Sequence, residues 1–155
     1  MSAPFLLDRS LTHRLHTLGK LTDRLTQQAY QAQTGLTLSD GRCLAAVGAF
    51  GPLSVNDLAA SANLNKGQAS RAAQALVDRG LVQKEAVPTD ARGVLLSLTA
   101  PGQTLWSRLQ AVIAQRHDEI TACLSPDERS QLDGLLDRLL AQARAQSAGG
   151  EEEAG

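Results

Sequence analysis

The sequence predicts a mainly α-helical chain with one small β-hairpin wing: a winged helix-turn-helix with terminal helices that form a dimerisation domain. Three observations predict it. Leucines recur every three or four residues near both ends, two short capped helices meet across a three-residue turn, and two short strands follow that pair at once. A helix-turn-helix followed directly by a hairpin is a winged helix.

Residues from about 9 to 33 read as one long helix, because Leu11, Leu15, Leu18, Leu21, Leu25 and Ala29 fall on a single stripe. Gly35 stops it. Ser39 can cap a second helix through about Phe50, with Cys43, Leu44, Val47 and Phe50 inward, until Gly51-Pro52 ends it. Ser54, followed three residues later by Asp57, opens a short helix carrying Val55, Leu58 and Ala59. Asn63-Leu64-Asn65 is the turn, and Asn65 with Gln68 has the form of a capping box for a helix to about Arg79. Gly80 supplies a left-handed stop, with Leu81 as the apolar residue beyond it.

Residues 81–87 and 94–98 read as strands around Pro88-Thr89-Asp90-Ala91-Arg92-Gly93. Thr99 caps a fifth helix that tolerates Pro101 in its first turn and continues through Leu105, Leu109, Val112, Ile113, Arg116 and Ile120 to about Leu124. Ser125-Pro126-Asp127-Glu128 is a strong helix start, and Leu132, Leu135, Leu136, Leu139 and Leu140 make the last helix apolar on one side. The expected division is 1–35 as an N-terminal dimerisation helix, 36–100 as the winged lobe, 101–146 as C-terminal dimerisation helices, and 147–155 as a disordered tail.

Composition sets the bounds of function. At 155 residues, 43% hydrophobic and 20% charged, the chain has the size and apolar content of one globular domain. It lacks the run of about 18 apolar residues that a membrane span needs. Asp8, Arg9, His13, Arg14 and His16 interrupt the N-terminal segment too often for a signal peptide, so a cytoplasmic protein with no membrane partner is expected. The net charge of −1 does not advertise nucleic acid, but its distribution is uneven: residues 1–100 hold 10 Lys/Arg against 7 Asp/Glu, and residues 101–155 hold 5 against 9. One face can therefore attract an anion. Aromatics, at 3%, are too few for a base-stacking platform on single strands.

The motifs in the middle of the chain resemble those of the MarR family of transcription regulators. Matching pieces are Leu36-Thr37-Leu38, Gly51-Pro52-Leu53-Ser54 before Asp57-Leu58-Ala59, and Leu64-Asn65-Lys66 before Ser70-Arg71. They continue with Leu76-Val77-Asp78-Arg79-Gly80-Leu81-Val82, Asp90-Ala91-Arg92, and Leu98-Thr99-Ala100-Pro101-Gly102. The resemblance implies a homodimer that binds palindromic double-stranded DNA and often releases it on binding a small ligand. The chain departs from the family at Ala91 and Ala75, where arginines are common, and at Gly67-Gln68, where Ser-Thr is common. Fewer positive charges imply weaker phosphate anchoring.

The residues agree with that implication. Ala69, Ala72, Ala73, Leu76 and Val77 face one way on the second helix of the pair, while Gly67, Ser70, Arg71 and Gln74 fall on the other. A slim polar strip suits a major groove about 12 Å wide. Gln68, Ser70, Arg71 and Gln74 are expected to contact bases or phosphates, and Lys66 a phosphate. Arg92 resembles the family's wing residue for the minor groove, braced by Asp90; the bland alternative is a surface ion pair.

Arg9, His13, His16 and Lys20 form a basic stripe beside the first leucine stripe, with Arg14 nearby. His13, Arg14 and His16 are the expected receivers of a small aromatic or heteroaromatic acid, whose carboxylate needs charge-assisted hydrogen bonds to replace lost hydration. A solvated helix face is the alternative, and Trp106 reads either as a pocket wall or as core. Cys43 and Cys123 are too few for a disulfide framework or zinc site, yet leave open a thiol-based redox sensor beside the reading of buried small hydrophobes. No cofactor, metal site or catalytic constellation is expected. A winged helix that binds protein without DNA is the remaining rival.

Overall fold

Element order follows from the caps. A computed structural model describes residues 3–86 and 93–154. Six α-helices and one hairpin appear among them: α1 (Leu11–Thr34), α2 (Leu38–Phe50), α3 (Val55–Ala62), α4 (Lys66–Asp78), β1 (Val82–Ala86), β2 (Val94–Leu98), α5 (Ala100–Ile120) and α6 (Pro126–Ala154). One compact unit ends at Arg116 and a second begins at His117.

In the first unit, α1 stops at Gly35 in the left-handed conformation (φ 69°), whose N–H reaches the Gln31 carbonyl. The chain turns inward at once through fully buried Leu36, so α2 begins earlier than the Ser39 signal suggests. Its cap is Thr37, whose hydroxyl accepts from the Asp40 N–H at 3.1 Å. Ser54 caps α3 through the Asp57 N–H, and Asn63 closes it in the left-handed region (φ 57°), a conformation asparagine tolerates. The Asn65–Gln68 capping box forms in both directions, 2.8 Å to the Gln68 N–H and 3.2 Å from the Asn65 N–H. At the other end of α4, the Gly80 N–H bonds the Val77 carbonyl and the Leu81 N–H the Leu76 carbonyl, which satisfies two carbonyls the helix would leave unpaired.

The hairpin pairs Val82 with Leu98 through Ala86 with Val94. A bridge between Leu53 and Leu96, with both N–H···O bonds made (3.0 and 2.7 Å), ties it to the segment between α2 and α3. The core beneath holds Leu36, Leu44, Leu58, Leu76, Leu96 and Leu109 with no solvent exposure. Each such leucine contributes about 1.5–3 kcal/mol of transfer free energy, and together they fix α4 against α2 and α3. Arg116 lies in the apolar row of α5, as its spacing predicts, because its charge is served there: Nε donates to Thr26 Oγ1 at 3.1 Å and Nη2 to the Thr22 carbonyl at 3.4 Å.

One apolar expectation changes. Phe50, placed inward by spacing, is 65% exposed, because the last turn of α2 projects past the edge of the core. The leucine stripe of α1 is half-exposed along its length, from 47% at Leu15 to 62% at Leu21.

In the second unit, Ser125 and Glu128 cap α6 reciprocally. Hydrogen bonds from the Ser125 N–H and then its hydroxyl hold the Glu128 carboxyl below its ordinary value, so the carboxylate's half of the cap is present at neutral pH and is lost as pH falls through the lowered value. A disordered tail is expected from residue 147, yet α6 continues to Ala154. Ala141, Gln142, Ala143, Arg144, Ala145 and Gln146 favour helix strongly enough to carry it past Gly149-Gly150. Leu132, Leu135, Leu136, Leu139 and Leu140 are 37–54% exposed. No described helix is long and apolar enough to cross a membrane.

Candidate nucleic-acid interface and ligand crevice

Helix α4 divides as its spacing predicts. Ala69, Ala72, Ala73 and Leu76 are buried, while Lys66, Gly67, Gln68, Ser70, Arg71 and Gln74 are exposed along the opposite side. Small alanines let α4 lie close to its neighbours, and the polar side remains slim. Arg71 reclines toward the start of the helix: a Cβ added at Gly67 would stand 3.4 Å from its Nη1.

Two of the nominated residues carry structural bonds as well. The Gln68 side-chain oxygen accepts from the Asn65 N–H in the capping box. Gln74 donates to Asp78 Oδ1 at 2.7 Å and accepts from Lys84 Nζ at 3.1 Å. Lys84 is a residue the sequence reading missed. It shares the face of β1 that carries Val82 and pairs opposite buried Leu96, yet its long stem carries the ammonium out to α4. Strand alternation contained the signal, since an inward register position held a lysine. Asp90 and Arg92, the wing candidates, lie outside the described residues.

His13, Arg14 and His16 are exposed on α1. An open recess of about 570 Å³ runs beside them, lined by Asp8, His13, Arg14, Thr17 and the leucines at 11, 15, 18 and 21; His16 is not among its walls. A second depression was not legible in the sequence. It measures about 270 Å³ and is bounded by Tyr30 of α1, Arg42, Ala45, Ala46, Ala49 and Phe50 of α2, residues 61–63, and Trp106 of α5. That is near the lower limit for a ligand pocket, about 300 Å³, and suits a single ring.

The crevice owes its shape to two glycines. A Cβ at Gly48 would stand 2.7 Å from the Trp106 indole, and one at Gly41 would collide with the Tyr30 ring. Both rings therefore press directly on the α2 backbone. Burial pushes the Tyr30 phenol above its ordinary value, with nearby Arg42 opposing and Asp23 adding to the shift. Arg42 Nη2 donates to Asp23 Oδ1 at 2.9 Å. Aromatic walls with one guanidinium make a seat for a flat anion.

Cys43 is fully buried on α2, and burial, with Asp40 adding to it, pushes its thiol to about 11. Cys123 is exposed. A thiol at about 11 is protonated at neutral pH and a poor nucleophile. Cys43 will therefore stay unmodified when native protein meets N-ethylmaleimide and react only after denaturation, as mass spectrometry would show; native modification would contradict its burial. Among the described residues, no group of three or more His, Cys, Asp or Glu gathers as a metal site requires.

Comparison with known proteins places this geometry. The MarR family model matches residues 34–93, from the end of α1 to the residue before β2. A putative transcriptional regulatory protein for the hcr operon of Thauera aromatica is 31% identical over 90 residues, 58% of this chain; the match spans only 54% of that relative, about half its length. The multiple antibiotic resistance protein MarR of Escherichia coli is 27% identical over 127 residues, covering 81% of this chain and 88% of that one. Among solved structures, a MarR family protein of Mycobacterium tuberculosis in complex with salicylic acid superposes with a TM-score of 0.72 at 26% identity, covering 85% of this chain and 97% of the other.

Proposed function

We propose that this chain, which belongs to the MarR family, is a transcriptional regulator that acts as a homodimer: it binds a palindromic duplex operator as a repressor and releases it when a small aromatic or heteroaromatic acid binds. The observation that carries the reading is the exposed polar strip of α4, backed by a buried alanine face and presented by a fully capped helix-turn-helix. Such a strip reads base edges in a major groove while cations at its ends hold phosphates. Arg71 and Ser70 are the base readers in this account, Gln68 and Gln74 flank them, and Lys66 with Lys84 meets phosphates. Arg92, braced by Asp90, serves the minor groove.

The homodimer is supported by the half-exposed leucine rows of α1 and α6, which a monomer would leave in water. The aromatic acid is supported by the salicylic acid bound to the M. tuberculosis relative and by the chemistry of the crevice. We seat the ring between Phe50 and Trp106 with its carboxylate toward Arg42, and keep the His13, Arg14 and His16 stripe as the second seat. Nothing in this reading requires catalysis or a cofactor, and it suits a cytoplasmic protein. Selection from a random duplex pool, followed by titration of the winning duplex complex with salicylate, tests it. An inverted repeat with half-sites one helical turn apart, released by the acid, is the expected result. Enrichment of no duplex would favour a protein-binding winged helix instead.

A further inference from the structure

Arg42 already holds a carboxylate. Its partner, Asp23, is 19 residues away on another helix, and the pair is half-exposed, 37% for the arginine side chain and 43% for the aspartate. Asp23 is not among the walls of the crevice that Arg42 lines. The pair joins α1, which bears the exposed leucine row, to α2, which packs on both α3 and α4. A crevice ligand with a carboxylate would therefore meet a guanidinium whose charge is balanced. Two carboxylates beside one guanidinium leave a net negative charge in a half-buried place, so the second is admitted well only if the first withdraws.

We propose that Asp23 is an internal competitor for the crevice: it occupies Arg42 in the empty protein, and an aromatic acid must displace it, severing the tie between α1 and α2. This rests on the crevice reading above and adds the regulation of that site. It supplies what release requires, a free-energy difference between the two conformations that the ligand can exploit. The acid is favoured where the α1–α2 tie is broken, duplex DNA where it is made, and by reciprocity each weakens the other.

The test is calorimetric titration of the full-length protein with salicylate and with its uncharged analogue salicylamide, in the wild type, Asp23→Asn and Arg42→Gln, with thermal melts to confirm folding. Asp23→Asn keeps the shape and removes the charge, so salicylate should bind about two- to fivefold tighter, the worth of an exposed ion pair, while salicylamide is unchanged. Arg42→Gln should weaken salicylate about tenfold or more. Free Asp23→Asn should also hold operator duplex more weakly than the free wild type, and salicylate should lower its affinity by a smaller factor. If Arg42→Gln binds salicylate as the wild type does, the crevice reading fails and the competitor falls with it. If Arg42→Gln loses binding while Asp23→Asn gains none, the crevice stands and the competitor alone is refuted.

Discussion

Arg71→Ala should lower affinity for the selected duplex by about 1–3 kcal/mol and relax discrimination at the base pair assigned to it under the proposed function. The size follows from the role proposed for the side chain. A guanidinium meets a guanine edge with two hydrogen bonds in fixed geometry, and truncation loses both while leaving the buried alanine face of α4 intact. Arg71→Lys should recover part of the affinity and little of the discrimination, because a point charge serves a phosphate but not a bidentate pair. Binding titrations on the selected duplex and on single-substitution duplexes measure both quantities. Equal losses on every duplex would move Arg71 from base reader to phosphate anchor, and wild-type affinity throughout would remove it from the interface.

The largest effect is expected on α1. Leu18→Glu combined with Leu21→Glu should convert the proposed dimer to monomer at micromolar concentration and weaken operator binding by roughly 10²–10⁴-fold. Linking two half-site readers makes the second contact intramolecular, and that advantage disappears when the link is cut. In the single chain these leucines are 54% and 62% exposed. Glutamate costs little there in a monomer and much in an apolar interface, where a carboxylate loses its hydration. Sedimentation velocity reads the assembly, and a double variant that stays dimeric would place the interface elsewhere.

Local chemistry made most of the lobe legible in the sequence. The Asn65–Gln68 cap, the glycine stop at Gly80 and the two strands are decided within a few residues of chain, and they stand where their side-chain and backbone bonds put them. Helix starts with rival caps were harder. Thr37 and Ser39 carry similar signals, and burial of Leu36 decides between them, which only tertiary structure reveals. Periodicity likewise puts Phe50 on the inner row but cannot say that the core ends one turn earlier. The α4 strip was readable because one helix carries it. The crevice was not: Tyr30, Arg42 and Trp106 come from three helices, and the two glycines that admit the rings give no sign in sequence of what they make room for. Lys84 shows the same limit, since its bond to Gln74 depends on how the hairpin meets α4.

If the chain binds duplex DNA by neutralising phosphates, as proposed, its affinity must fall steeply with salt. Each phosphate neutralised adds about −0.9 to the slope of log affinity against log salt concentration. With Lys66 and Lys84 of each of two protomers on phosphates, the slope should be about −4 on the selected duplex, steepening toward about −7 only where Arg71 and Arg92 also lie against phosphates. A slope near zero, at any affinity, would contradict DNA recognition and leave a winged helix whose partner is a protein.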